Sequence, residues 1–434
     1  MRPLDRSFDP ESAFAALRRM GAPALLFDGR GGLDGAWPCR LAIEPRVSFA
    51  FRGCAGDPAS MLKPLSEVVK RRRAAGGPGG TGVAVLCAYE ALDPRVGPSP
   101  FPWDFVALEV DAVLAFDPDA APGAWGRSDL VERALATLDR RAPGVHEDSP
   151  VAFAAGRPRT SLARAAYLDA VVRVKRHIAA GDIYQANVTQ RFEAPFAADP
   201  WALYRTIAAT HPAPRSAYVE VPGLALVSVS PELFVDVDPG GGIETRPIKG
   251  TRPRGSTPEE DETAAAELLA SEKDRAELVM IVDVLRNDVG RIARTGSVEV
   301  PELLTLRSYA AVHHLVARVI AQLRPGVTPG ELVAAVFPGG SITGAPKERA
   351  IALLREIEPC PRGLYTGCLM WFDDDGSMAS SILIRSAVVT GERVFVGAGG
   401  GVVADSDPES EWSEANAKAR ALTRALGFEP EEAA

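Results

Sequence analysis

Two stretches of the 434-residue chain set acidic side chains three residues apart within helix-like patterns. In "SEKDRAELVMIVDVLRND", Asp274 and Glu277 share a face, and in "DSDPESEWSEANAKARALTRALG", Glu411 and Glu414 do the same with Lys418 following. Residues so spaced have Cβ atoms roughly 5–6 Å apart, and two like charges at that distance cost stability unless a cation lies between them. Carboxylate pairs from two helices suit a hard, oxygen-liganded cation such as Mg²⁺. Acids early in a helix also satisfy its dipole, so a solvated charged face is the simpler explanation of either pair alone. A third feature is Lys249, the lone lysine of "ETRPIKGTRPRG". It is either a solvated loop cation or a nucleophile, and a nucleophilic amine must be uncharged. His313 and His314, in "AVHHLVARVI", sit together in an apolar segment and read as structural or as catalytic.

These groups need elements to position them. Ser271 opens one acid-bearing helix behind an apolar stripe of Leu278, Ile281, Val282 and Leu285. The helix before it shows a capping box, Thr257 with Glu260, and Pro258 in the first turn. Asp407 and Pro408 open the other acid-bearing helix, whose stripe of Trp412, Ala415, Ala419, Leu422 and Leu426 ends before Gly427. "SLARAAYLDAVVRVKRHIAAGD" predicts a helix with apolar residues at 167, 171, 174 and 178, stopped at Gly181. The strand "IYQANVTQRF" carries a polar row of Gln185, Asn187, Thr189 and Arg191, either a solvent face or the floor of a ligand site. Two Gly-rich loops follow. "FPGGSITGAPKERAIALLREIEP" enters a helix with Pro346 at its first position, but Ala345-Pro346 stands where a P-loop needs Lys-Ser/Thr. "VGAGGGVVADSD" would let a ligand approach the backbone closely.

Composition narrows the class. With 46% hydrophobic residues the chain can bury a large core, and a net charge of −9 argues against nucleic acid or an anionic membrane as partner. The basic run "KRRR" at 70–73 reads as a solvated helix end. No apolar run is long enough to span a bilayer and the start lacks a leader pattern, so a cytoplasmic protein is expected. Five cysteines without a CxxC pair suggest reduced, structural thiols. Asp/Pro/Gly/Ala-rich text up to "GRPRT" places a boundary near residue 155. It separates an N-terminal mixed α/β subdomain (1–155), co-packed with the core, from a catalytic core at 156–434. In the former, "APALLFDG", "GVAVLCAYEAL" and "FVALEVDAVLAF" read as sheet core, with "SDLVERALATLDRR" a short helix capped by Ser128.

Taken in order, "GDIYQANVTQRF", "SPELF", "PIKGTRPRG", "EKDRAELVMIVDVLRND", "HHLV", "FPGGSITGAPK", "IRSAVV" and "GAGGGVVADSDPESEWSE" resemble the chorismate-utilising enzymes over about residues 165–427. That family includes the large subunits of anthranilate synthase and aminodeoxychorismate synthase, with isochorismate and salicylate synthases as relatives. The resemblance implies an α+β fold, two antiparallel β-sheets packed face to face with helices outside, and an active site in the cleft between them. It assigns Glu277 and Glu414 as direct Mg²⁺ ligands, with Asp274 and Glu411 acting through water. Lys418 becomes a partner of the ring carboxylate of chorismate, and Tyr365 and Arg385 hold the enolpyruvyl carboxylate. Gly399, Gly400, Gly401, Ser341, Thr343, Gln185 and Thr251 become substrate contacts. Glu232 matches the general acid at the C4 hydroxyl, and His314 a histidine near the ring.

Two positions discriminate within the family. Gln185 stands where relatives that add water carry a general-base lysine, which disfavours isochorismate and salicylate synthesis. At position 249, "PIKGT" resembles aminodeoxychorismate synthases, where anthranilate synthases read "PIAGT". The resemblance therefore implies amination of chorismate at C4, giving 4-amino-4-deoxychorismate for 4-aminobenzoate and folate biosynthesis, through a Lys249 adduct at C2. An anthranilate synthase large subunit is the alternative. A catalytically inactive amidotransferase scaffold would be expected to lack a carboxylate ligand, and none is missing. No cysteine lies in a Gly-rich nucleophile turn, so ammonia is expected from a separate glutamine amidotransferase in a heterodimer. Tryptophan binding is left open: "ALLFDG" departs from the "LLES" of relatives that bind it, whereas "HPAPRSAYVE" resembles the other half of that pocket.

Overall fold

The computed structural model describes residues 2–4, 9–19, 21, 23–29, 36–54, 56–77, 79–93, 99, 101–116, 122–139, 157–309 and 312–432. The boundary near residue 155 lies outside the described residues. Among those described, the strands form one sheet of 12 and one of 10, joined by antiparallel pairings. Strands from before and after the boundary share both sheets: Ala24–Asp28 pairs with Arg215–Val221 in the first, and Gly82–Cys87 with Cys368–Asp373 in the second. The fold is thus α+β, with two antiparallel sheets and helices, as expected.

The near-continuous apolar runs of the N-terminal strands have a simple cause. In Ala24–Asp28, Leu25 and Phe27 join a cluster with Val85, Leu86 and Trp371 of the other sheet, while Ala24 and Leu26 join Phe14, Leu130 and Trp201 from helices. With both faces covered, alternation with polar residues is lost.

Each acid-bearing helix rests on a different sheet. Glu272–Gly290 packs through Leu278 and Val282 against Leu315, Ala317 and Val319 of strand Val312–Gln322. Pro408–Ala425 packs through Ala415, Ala419 and Leu422, and stands against strand Arg393–Val402. Their caps follow the sequence: Ser271 accepts from Asp274 N–H at 3.2 Å and Asp407 from Ser410 N–H at 2.9 Å. Gly181 takes φ +79° just past helix Arg164–Ala179.

Four local expectations need correction. Thr257 caps helix Pro258–Ala270, but Glu260 reaches back to Ser256 N–H rather than to Thr257, so the box is not reciprocal. Pro346 is the N-cap of helix Lys347–Ile357, one place earlier than expected. Ser128 is the first residue of helix Ser128–Asp139. "KRRR" ends helix Lys63–Ala74 but is solvated only in part: Lys70 and Arg71 are exposed, whereas Arg72 bonds Asp111 at 2.6 Å and Asp374 at 2.9 Å, and Arg73 bonds the Gly376 carbonyl at 2.9 Å. The 302-residue separation of Arg72 and Asp374 explains why local composition could not reveal it.

A buried ion pair clamps the first Gly-rich loop. Lys347 Nζ donates to Asp288 Oδ2 at 2.5 Å and to the Val336 carbonyl at 3.2 Å, tying helix Lys347–Ile357 to the end of helix Glu272–Gly290 with the loop between. Burial outweighs the lysine's charge and lifts Asp288 to about 6. Lys347→Met should cost about 3–5 kcal/mol, because it leaves a buried carboxylate unpaired. A carboxyl whose folded value is raised loses stability as pH climbs through that value. The variant raises it further, so urea denaturation should show a larger loss at pH 8 than at pH 5; equal midpoints for variant and parent would refute this.

Candidate active site

The cleft is built where the two sheets and the two acid-bearing helices converge. Lys249 lies on strand Ile248–Pro253, opposite Leu315, and the ladder slips between Lys249 and Thr251. Gly250 makes that bulge, with φ +73°, and any Cβ there would lie 2.7 Å from Leu268 Cδ1 and 2.9 Å from Asp274 Cγ. Glycine therefore serves both the backbone twist and the close packing of this strand on the acidic helix. The Lys249 amine faces Glu277, Lys418, Glu232 and Glu414; burial and the Lys418 charge lower its pKa, and the three carboxylates oppose them without prevailing. Lys249 is partly exposed on its strand.

Glu232 is 6% exposed. Burial raises its pKa, against a hydrogen bond from the Ser341 hydroxyl and the charges of Lys249 and Lys418. One buried carboxyl biased toward its acid form thus faces one buried amine biased toward its free base, a pairing that suits proton donation beside nucleophilic attack.

The acid pairs meet across the cleft. Lys273 Nζ lies 3.2 Å from Glu411 Oε1 and 3.9 Å from Glu277 Oε1, and Lys418 Nζ lies 2.7 Å from Glu414 Oε1. Burial raises the Glu277 pKa against the charges of Lys249 and Lys273, and the like charges of Glu411 and Asp274 raise it further. Among the described residues no three acids, histidines or cysteines stand close enough to hold a metal as they are placed. Two observations nevertheless fit a dication. Glu411 is 2% exposed and its Oε2 has no hydrogen-bond partner. A Cβ on Gly400 would lie 3.0 Å from that oxygen and 3.9 Å from Glu414 Oε1, so the glycine leaves space where both carboxylates point. The donors are all oxygen, the set that Mg²⁺ prefers.

The polar row on strand Gln185–Pro195 is neither a solvent face nor wholly a ligand floor. Gln185, Asn187 and Thr189 are buried. Asn187 holds the Ser341 carbonyl at 2.9 Å, Thr189 is taken by Glu358, and Gln185 donates to Asn187 Oδ1 at 3.3 Å while its own Oε1 lacks a donor. The second Gly-rich segment, expected as a loop, is instead the end of strand Arg393–Val402, and it pairs with this strand so that Asn187, Val188 and Thr189 stand opposite Gly401, Gly400 and Gly399. Lys418 Nζ donates to the Gly399 carbonyl at 3.1 Å. Arg385, at φ +50°, donates to the Lys418 carbonyl at 2.6 Å and is electrostatically coupled to Tyr365, whose hydroxyl burial pushes to about 12.

His313 and His314 point opposite ways. His313 is 2% exposed and held by Ser308 and Asp261, a structural histidine. His314 is only partly covered, contacts Thr251 Oγ1 at 3.0 Å, and is kept below the ordinary imidazole range by burial. Thr251 is exposed on its strand. Thr343 is fully buried and its hydroxyl donates to the Gly339 and Gly340 carbonyls, so it shapes the loop from within.

Sequence reasoning passed over Lys273 and Arg362. Arg362 is buried on Glu358, on the Asn187 and Ile342 carbonyls, and against the Tyr89 ring at 4.4 Å. The Glu358/Arg362 spacing of four was its only local signal. A cleft of about 860 Å³ lined by Tyr89, Glu90, Lys347, Arg355 and Glu358 contains none of the expected site residues. The site is marked by convergent buried charge rather than by volume.

The family model for chorismate binding enzymes matches residues 58–424. This chain belongs to the chorismate binding enzyme family. The match begins well before residue 155, and among curated relatives it resembles two kinds of synthase. Aminodeoxychorismate synthase component 1 of Bacillus subtilis is 44% identical over 266 residues, 61% of this chain and 56% of the relative. Anthranilate synthase component 1 1 of Haloarcula marismortui is 45% identical over 280 residues, 64% and 57%. The matched region thus spans under two thirds of these relatives' length. Anthranilate synthase component I from Streptococcus pneumoniae superposes on this chorismate binding enzyme with a TM-score of 0.77 at 28% identity, covering 89% of this chain and 92% of that one. No helix among the described residues is long and apolar enough to cross a membrane.

Proposed function

We propose that this enzyme aminates chorismate at C4, forming 4-amino-4-deoxychorismate for 4-aminobenzoate and folate biosynthesis, with ammonia delivered by a separate glutamine amidotransferase subunit. The observation that carries this reading is Lys249, an amine biased toward its free base in the same cleft as the raised carboxyl of Glu232. Amination at C2 needs no enzyme nucleophile, whereas placing an amine on C4 without inverting it calls for two displacements.

In the first, Lys249 Nζ bonds to C2, the two ring double bonds shift, and the C4–O bond breaks as Glu232 gives the departing hydroxyl its proton. In the second, ammonia bonds to C4, the double bonds shift back, and the C2–N bond to Lys249 breaks. The Glu232 carboxylate then recovers a proton from the incoming nitrogen. Ser341 holds Glu232 in place, and the neutral His314 lies beside the bulge that carries Lys249. Arg385 and Tyr365 would hold the enolpyruvyl carboxylate, Arg385 being suited to a two-point grip. Glu277 and Glu414, with Asp274 and Glu411 behind them, would hold Mg²⁺. When bound, that ion supplies positive charge to the ring carboxylate, beside Lys418.

The relatives that are anthranilate synthases favour a second reading, in which ammonia enters at C2 and the product is anthranilate. Incubating the protein with chorismate, Mg²⁺ and an ammonium salt at alkaline pH separates the two. The expected product keeps its enolpyruvyl group and yields 4-aminobenzoate once a lyase is added. Fluorescent anthranilate with released pyruvate would overturn the assignment and leave Lys249 without its role.

A further inference from the structure

Lys273 is the one basic residue on helix Glu272–Gly290 bonded to acids of both acid-bearing helices, among the described residues. Its Nζ is 3.9 Å from Glu277 Oε1 one turn along its own helix, and 3.2 Å from Glu411 Oε1 across the cleft. The latter oxygen also accepts from the Ser406 hydroxyl at 2.6 Å. Glu414, the fourth acid, is taken by Lys418 at 2.7 Å. Glu277, Glu411 and Glu414 are therefore spoken for by ammonium groups and Asp274 by the Arg252 guanidinium at 3.3 Å, and among the described residues the set of three that a metal needs is not assembled in this arrangement.

We propose that Lys273 is a built-in competitor for the metal site. A dication reaches the oxygens of Glu277 and Glu411 only by turning the Lys273 ammonium out toward solvent, which its exposed stem permits. Metal affinity in the absence of substrate is then held down, and a substrate carboxylate, by adding negative charge to the cleft, favours occupancy by both charges together. Lys273 thus couples metal retention to substrate arrival. This rests on the metal reading given above.

The test measures Mn²⁺ binding to the whole chain without chorismate, by calorimetry and by the loss of the free-ion electron paramagnetic resonance signal. Lys273→Met should bind about tenfold more tightly, since it removes one unit charge a few ångströms from the ligand oxygens in a partly screened site. Lys273→Arg should keep the parent affinity, and chorismate should improve affinity less in the Met variant than in the parent. Circular dichroism and thermal melting establish that each variant is folded. If the parent binds Mn²⁺ and Glu414→Gln weakens it, but Lys273→Met binds no more tightly, the competitor role is wrong while the metal reading stands. If neither the parent nor any variant binds Mn²⁺, with or without chorismate, both fall.

Discussion

Lys249→Ala should lower kcat for formation of the C4-aminated product by at least about a thousandfold, because it removes the atom that forms the first bond rather than a contact that helps it form. Lys249→Arg should not restore activity: a guanidinium keeps the positive charge but does not deprotonate in the accessible range. A residue that merely placed positive charge near the substrate would be rescued by arginine, so the pair of variants separates the two roles. A direct check uses the parent enzyme with chorismate and Mg²⁺ but no ammonia. The first displacement then has no successor, and a digest should contain a peptide bearing Lys249 heavier by chorismate less one water. Retention of full activity by Lys249→Ala, with no adduct trapped, would eliminate covalent catalysis here.

What the sequence disclosed depended on the range of the interactions concerned. Helix starts at Thr257, Ser271 and Asp407 were legible because a cap bonds an N–H three residues on. The stripe of Leu278, Ile281, Val282 and Leu285 was legible because helical period is local, and all four are buried. Arg72 was misread because its partners, Asp111 and Asp374, lie far along the chain. The same limit applied within the site. The Asp274/Glu277 and Glu411/Glu414 spacings could be read, but not that Lys273 reaches from one helix to the other, since its i,i+4 relation to Glu277 is what any exposed helical pair shows. For the polar row at Gln185, Asn187 and Thr189, alternation told which residues share a face but not what that face meets. It meets the Ser341 carbonyl, Glu358 and the glycine strand rather than water.

The second large effect concerns Glu232. Glu232→Gln keeps the volume, so KM for chorismate should stay near the parent's, while kcat should fall by about 10²–10⁴ for loss of a general acid. The pH profile carries the sharper signature. At saturating ammonia the parent should lose rate on the acid side as Lys249 takes up a proton, and on the alkaline side as Glu232 gives one up. Burial lowers the first and raises the second, so the two limbs lie closer together than ordinary lysine and carboxyl values would put them. In Glu232→Gln the alkaline limb should vanish and the acid limb remain. A variant with raised KM, unchanged kcat and both limbs intact would make Glu232 a binding group. A chorismate analogue whose C4 group leaves without needing a proton divides the labour further. It should recover most of the rate lost in Glu232→Gln and none of that lost in Lys249→Ala, because the acid serves the breaking bond and the amine the forming one.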